Sequence, residues 1–339
     1  MSIVVETHRD TNAFDALEAE WTELLGKSAN DTFFLTPDFQ RTWWRHLGEG
    51  ELFLLTAREG DDLLGVAPLF ATSESGGAVT LQTVGCVDVS DYLDWVTYQG
   101  REEEVLDAFL SFLAEPGDLS WDVIDLCNIH RDSPTLQILP GLAESKGWTT
   151  LVKVQEVCPV VDLPDNWDDY LAALRGKDRH ELRRKTRRAE ATEGIGWFIV
   201  GPEHQLADEV ESYLELMAKS SPDKAEFLTP EMREFFRELC QFTFDAGWLQ
   251  LSFLEVEDRR LASYISFVYN NRVLVYNSGL DWEADPGFGA GIVLTGYLVN
   301  YAIEEGRAEF DFMRGNERYK YRFGGQDVTV HRVEIRREN

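Results

Sequence analysis

Basic residues are scarce in this chain of 339 residues: Lys and Arg number 32 against 61 Asp and Glu, a formal net charge of −29. A surface of that sign repels a phosphate backbone, which excludes non-specific nucleic-acid binding over the whole molecule. Cysteine is scarce too. Cys86, Cys127, Cys158 and Cys240 are scattered, with no CxxC spacing, so buried thiols in a reduced compartment are expected. The six histidines include no HxxxH or HExxH pair, and no metal is expected. There is no apolar run of about 18 residues, and no signal-type segment follows Met1, which points to a cytoplasmic protein without membrane insertion. No GxxxxGK[ST] occurs and no Ser-His-Asp or Cys-His constellation is readable. Neither a Walker loop nor covalent catalysis is therefore expected.

What the chain does have is a globular composition, 44% hydrophobic with 12% aromatic residues, and length enough for two domains of ordinary size. Strand and helix patterns alternate along it. Residues 14–25 place Phe14, Leu17, Trp21, Leu24 and Leu25 on one helical stripe. Thr36-Pro37 reads as a cap and first turn of a helix through Leu47. Residues 51–57 and 63–70 read as a hairpin, with strands at 79–84 and 92–98 continuing the sheet. Asp88, Ser90, Asp91, Tyr92 and Asp94 form a polar, acidic loop beside a strand. A meander at 249–255, 261–269 and 272–278, with turns at Asp258-Arg259 and Asn270-Asn271, opens a second such order of elements. The residues 161–165 read as a linker, and 328–335 as the last strand of the second half.

The stretch 272–325 carries most of the chemistry. A strand at 272–278 leads to the breaker cluster Asp285-Pro286-Gly287-Phe288-Gly289-Ala290-Gly291. A helix follows, with Ile292, Thr295, Gly296, Val299, Ala302 and Ile303 at helical spacing and Gly306 as its left-handed cap. Residues 308–312 alternate as a strand. Glycines at a helix start let an anion approach unpaired N–H groups, so Gly287, Gly289, Ala290 and Gly291 read either as a phosphate seat or as a tight strand-to-helix turn. A dinucleotide fingerprint fails, because Ile292 stands where glycine or alanine is needed. Upstream, residues 175–188 hold eight Lys or Arg plus His180 in an otherwise acidic chain. Like charges at helical spacing repel, so this segment is either balanced by carboxylates in the fold or used on an anion.

Tyr276-Asn277-Ser278-Gly279, the glycine loop, Phe310-Asp311-Phe312-Met313-Arg314-Gly315-Asn316-Glu317 and Tyr319-Lys320-Tyr321-Arg322-Phe323-Gly324-Gly325, with the basic run from Lys177 to Lys185, together resemble the BioF2-like members of the GNAT acyltransferase superfamily. That family includes proteins linked to cellulose and exopolysaccharide synthesis, and it is similar to the Fem peptidyltransferases. Where many relatives carry Ser-Pro-Gly before the long helix, this chain reads Gly-Phe-Gly-Ala-Gly. The resemblance implies an α/β (α+β) fold of two tandem GNAT-like domains, each a mixed, mostly antiparallel sheet flanked by helices. The expected bounds are 1–163 and 164–339, with a basic helix at 175–193. It implies an N-acyltransferase moving an acyl group from acetyl-CoA or another acyl-CoA to a small amine or amino sugar by direct transfer. The alternatives are a Fem-like enzyme using aminoacyl-tRNA, which would be the one nucleic-acid partner, and a non-catalytic GNAT-fold protein in polysaccharide assembly.

Within that reading the glycine loop anchors the carrier pyrophosphate. Asp311 is a base or amine-orienting carboxylate, and Glu317 is a second candidate. Tyr319, with Tyr321 as rival, protonates the leaving sulfur. Arg314 and Lys320 resemble positions that contact anionic substrate, and Arg179, His180 and Arg183 could fork an anion. Without a ligand, Asp311 reads equally as a carboxylate salt-bridged to Arg314 or Lys320.

Overall fold

A computed structural model of the chain describes residues 2–73, 77–86, 89–115 and 120–337. The chain forms two compact units, Met1–Glu156 with Val328–Asn339, and Val157–Asp327. The first half contains β1 (Val4–His8), α1 (Asn12–Leu25), α2 (Pro37–Leu47), β2 (Glu51–Glu59), β3 (Asp62–Ser73), β4 (Val79–Thr83), β5 (Val96–Thr97), α3 (Glu102–Ala114), β6 (Val123–His130) and α4 (Pro134–Ser145). Along β7 (Thr149–Asp162) the chain passes into the second unit. There follow α5 (Trp167–Ala173), α6 (Gly176–Glu190), β8 (Ile195–Ile199), α7 (Leu206–Ser220), α8 (Pro222–Phe227), α9 (Pro230–Asp245), β9 (Leu249–Val256), β10 (Arg259–Tyr269), β11 (Arg272–Leu280), α10 (Ala290–Glu304), β12 (Glu309–Asp311), α11 (Arg318–Arg322) and β13 (Gln326–Arg336).

In the first unit β1 to β4 pair antiparallel in sequence order, and β4 runs parallel to β6 through Thr80↔Val123. Phe53, Leu69, Trp95, Phe109, Trp121 and Ile124 pack into its core. Thr36 caps α2 as expected, its hydroxyl accepting from Phe39 N–H at 3.3 Å. The strand expected over 92–98 shrinks to Val96–Thr97. The residues before it turn inward as a loop because Asp94 is fully buried and accepts from Trp95 N–H at 2.7 Å, Asn30 Nδ2 at 2.7 Å and Ser133 Oγ at 2.5 Å. Of the acidic loop, Asp88 lies outside the described residues, and Asp91 is buried.

In the second unit the end of β7 pairs antiparallel with β12, β12 runs parallel to β11, and β11, β10, β9 and β8 pair antiparallel. The Asn270-Asn271 turn forms with both residues left-handed, at φ 47° and 59°. Helices α5, α6 and α10 contribute Leu171, Leu182, Val293, Leu294 and Val299 to the core against Phe310 of β12. Gly306, at φ 68°, ends α10 as the sequence indicates.

Three expectations are corrected. The second half does not keep the last strand: β13 pairs antiparallel with β6, through Val330↔His130 to Arg336↔Val123, and residues 328–339 belong to the first unit. The linker expected at 161–165 begins inside a strand, because Val161 and Asp162 pair with Phe310 and Glu309. And the four cysteines are not all thiols. Cys86 and Cys127 form a disulfide, while Cys158 and Cys240 are free and buried. The parallel β4–β6 pairing brings the first two together across a separation of 41 residues, a long-range contact with no signature in local spacing.

Candidate active site

The glycine loop precedes α10 as expected, but its N–H groups are already engaged. Asp285 Oδ1 accepts from Gly287, Phe288 and Gly289 N–H at 2.9, 3.2 and 3.2 Å, and Oδ2 accepts from Ala290 N–H at 3.1 Å. A carboxylate at a helix start is stabilised by the partial positive charge there. The loop thus forms an anion nest whose anion belongs to the chain itself. Basic side chains of α6 hold the loop's carbonyls: Lys185 Nζ donates to Phe288 O at 2.9 Å, and Arg188 donates to Gly287 O and Pro286 O at 3.1 and 3.3 Å. Gly289 is left-handed at φ 81°, and a Cβ there would run into Lys185 Nζ. In this state Asp285 occupies the N–H groups of Gly287, Gly289 and Ala290, and a phosphate that bound there would have to displace it.

Beyond this loop the sheet opens. Only Arg272, Val273 and Leu274 of β11 pair with β12, whereas β11 continues to Leu280 along β10. Its second half therefore lacks a strand partner on the side where β12 has ended, and side chains meet its backbone there: Ser278 N–H donates to Asn277 Oδ1 at 2.7 Å and Leu280 N–H to Ser220 Oγ at 2.8 Å. The chain turns away at 311–315, held from inside. Asp311 Oδ1 accepts from Met313 N–H at 2.7 Å, across the left-handed Met313 at φ 59°. Lys320 is 3% exposed, and its ammonium donates to the carbonyls of Met313, Arg314 and Gly315 at 3.0, 2.7 and 3.2 Å. Glu317 completes its shell at 2.9 Å. Lys320 thus locks this turn. Its donors are spent on carbonyls that the turn leaves without strand partners. Its salt bridge goes to Glu317 rather than to Asp311.

Tyr319 stands at the start of α11 with its ring edge-on to Phe312, centroids 5.8 Å apart. Its hydroxyl is electrostatically coupled to that of Tyr264. Thr295 Oγ1 lies 3.0 Å from the Tyr264 hydroxyl and 2.8 Å from the Gly291 carbonyl, which joins Tyr264 and Thr295 in a short chain of hydroxyls at the first turn of α10. Burial raises the pKa of both tyrosines, with the Glu317 charge adding to it. Both are therefore proton donors at neutral pH. Tyr321 instead faces outward and donates to Asp327 at 2.8 Å, which separates it from this chain.

Sequence reasoning missed one group. Lys224 of α8 reaches β11, where its Nζ lies 3.0 Å from Asn277 Oδ1, 2.5 Å from the Ser278 carbonyl and 3.4 Å from Ser278 Oγ. Burial pulls its pKa down to about 8, against a pull upward from Glu317. The signal for its helix was present: Ser221 caps it by accepting from Lys224 N–H at 3.2 Å, with Pro222 at the first position.

On α6 the basic residues divide by face. Arg184 is answered by Glu181 in a two-bond fork at 2.9 Å each. Arg179 donates to the carbonyls of Leu171 and Ala172 at 3.3 Å, closing the end of α5. His180, Arg183 and Arg187 rim a cleft of about 390 Å³ floored by Trp167, Leu171 and Leu182. Arg314 is half-buried beside Gly315. Among the described residues no group of three or more His, Cys, Asp or Glu could hold a metal ion, and no helix is long and apolar enough to cross a membrane.

Comparison with known proteins agrees with this architecture. Residues 176–321 match the acetyltransferase (GNAT) domain family. Among solved structures, FemX superposes with a TM-score of 0.66 at 12% identity, covering 98% of this chain and 97% of that one. L-PGS from Bacillus licheniformis gives 0.57 at 13% identity over 98% and 93%. A tandem GNAT protein from the clavulanic acid biosynthesis pathway gives 0.53 at 11% identity over the full length of both chains. At these identities the likeness is one of fold. No curated protein matches the sequence significantly.

Proposed function

We propose that this chain, which carries an acyltransferase domain of GNAT type over residues 176–321, moves an acyl group directly from a carrier to the nitrogen of a small amine or amino sugar. The observation that carries the reading is the early end of the β11–β12 pairing at Leu274 and Asp311. It leaves β11 without a strand partner beyond Leu274, so that an extended, amide-bearing carrier arm can enter as a missing strand would, short of Ser278 and Leu280, whose backbone groups are held by side chains. Around the opening stand the groups that transfer requires. Tyr319, coupled to Tyr264, protonates the departing atom. Asp311 orients the acceptor amine. Glu317 sets the local charge.

The first donor to consider is acetyl-CoA or another acyl-CoA, with phosphates replacing the Asp285 carboxylate at Gly287, Gly289, Ala290 and Gly291. A specific observation favours a second donor. Asp285 already fills the loop, whereas Arg183 and Arg187, beside His180, offer a cationic rim elsewhere in the unit. Such a rim suits the phosphates of an aminoacyl-tRNA. Calorimetry with acetyl-CoA and longer acyl-CoAs, paired with a free-thiol assay over an amine panel, separates the two. Binding with thiol release supports the first donor. No acyl-CoA binding, with consumption of charged tRNA, replaces it by the second, and inactivity with both removes the transfer reading.

A further inference from the structure

We propose that Lys224 takes the proton that the acceptor nitrogen sheds during acyl transfer, an inference that rests on the transfer reading above. Lys224 is half-buried, a setting in which a lysine usually has a carboxylate at its side, and none lies within ion-pair distance of it among the described residues. Its partners are neutral oxygens, Asn277 Oδ1, the Ser278 carbonyl and the Ser278 hydroxyl. They sit on the part of β11 that β12 no longer covers. The placement is built. Ser221 and Pro222 start α8, and the Lys224 side chain runs inward from it. Asn277 Oδ1 is itself fixed by Ser278 N–H at 2.7 Å.

Two of the three protons of an ammonium at this place are committed, to Asn277 Oδ1 at 3.0 Å and to the Ser278 carbonyl at 2.5 Å. The third has only Ser278 Oγ at 3.4 Å, a long and weak contact. A neutral amine keeps the two good bonds and gives up the weak one. Its lone pair then occupies the direction of the third proton. Burial favours that neutral form and brings the proton affinity close to the working pH, where a general base is most effective. The charged group facing it is Glu317, which pulls the other way and is itself bridged to Lys320.

The step balances without further reagents. The acceptor's amine attacks the carrier's acyl carbon, and a C–N bond forms as the bond to the carrier's sulfur or oxygen breaks. The nitrogen's surplus proton passes to the Lys224 lone pair, and the leaving atom takes a proton from the Tyr319 hydroxyl. Lys224 then returns its proton to solvent, and Tyr319 recovers one from solvent. In this scheme Asp311 orients the amine and need not accept the proton.

The test is the pH profile of kcat for wild type, Lys224→Met and Lys224→Arg, with the preferred carrier at saturation. In wild type kcat should rise with pH and level off with an inflection near 8. Lys224→Met should lose about 100-fold or more, with the inflection gone. Lys224→Arg should be as slow, because a guanidinium cannot act as base. Carrier affinity by calorimetry should stay within about threefold in both, which separates lost chemistry from lost folding. NMR of 13Cε-labelled lysine reads the Lys224 titration directly in wild type. A variant that binds carrier normally and keeps kcat within about threefold, or keeps the inflection, overturns the assignment and leaves the transfer reading standing. A wild-type chain that transfers nothing from either carrier overturns both.

Discussion

Single side chains in this protein carry more of the backbone than their sequence neighbourhoods suggest, and Lys320 is the plainest instance. Three carbonyls of one turn depend on one ammonium. Each loses its partner if the chain is truncated, and an unsatisfied buried acceptor costs about 1–3 kcal/mol. Lys320→Met should therefore lower the urea midpoint by the equivalent of about 3 kcal/mol or more, measured by circular dichroism. A change under about 1 kcal/mol would mean that the turn holds itself. Asp94 gives a second residue-scale prediction, with a sign set by burial. Desolvation raises its pKa from 3.8 to about 6, against hydrogen bonds from Ser133 and Trp95 N–H that pull it down. Between those pH values the folded chain holds a proton that the unfolded chain has released. The contribution to stability is complete below about pH 4 and is lost as pH rises through about 6. A rise of that size corresponds to roughly 3 kcal/mol. Wild type should lose on that order of stability between pH 4 and 6.5 relative to Asp94→Asn, as read from paired urea melts. Parallel pH dependences would contradict it. Neither role is legible in the sequence. Lys320 sits in a polar-aromatic run that reads as ligand contact, and nothing local says that Asp94 is dehydrated.

At the scale of elements the sequence is more forthcoming, because caps and breakers act locally. Thr36-Pro37, Thr229-Pro230 and the Asn270-Asn271 turn announce their elements and form them. The cluster 285–291 announces a helix start, and α10 begins at Ala290. What the letters leave open is who supplies the anion. Aspartate two residues before a glycine commonly turns back on its own backbone, and Asp285 does so over four N–H groups. The same group serves as helix cap and as occupant of the candidate phosphate seat. Asp285→Ala should therefore move two quantities in opposite directions. The chain should lose about 1–2 kcal/mol in phosphate-free buffer, as for a lost cap. It should also become more responsive to added inorganic phosphate, whose binding to the vacated nest raises the melting temperature by mass action. The measurement is a thermal melt across a phosphate series, with chloride at matched ionic strength as control. A variant destabilised yet no more sensitive to phosphate than wild type would show that the loop is only a turn, and the donor's phosphates would have to be sought at the cationic rim of α6.

For the whole molecule the decisive feature is the path of the chain's end. A reading in sequence order assigns 328–335 to the second half, since strand propensity carries no address and pairing partners far apart in sequence leave no local mark. The strand instead runs beside β6, with Val330, Val333 and Ile335 fully buried in the first unit and Arg332 forked onto Asp125. The first unit is thus discontinuous and the second, Val157–Asp327, is continuous. Removing the strand deletes three buried apolar side chains at about 1.5–3 kcal/mol each, and it leaves the Asp125 carboxylate buried without its guanidinium. That sum approaches the whole stability of a typical domain, about 5–15 kcal/mol. A chain ending at Asp327 should therefore lose cooperative structure over 1–156 while 157–327 stays folded. Hydrogen exchange read by mass spectrometry should find β2, β3 and β6 unprotected and β9, β10 and β11 at wild-type protection. Protection lost in both halves would mean that the second unit cannot stand without the first. Protection kept in both would mean that β4 and β6 close the first sheet without β13.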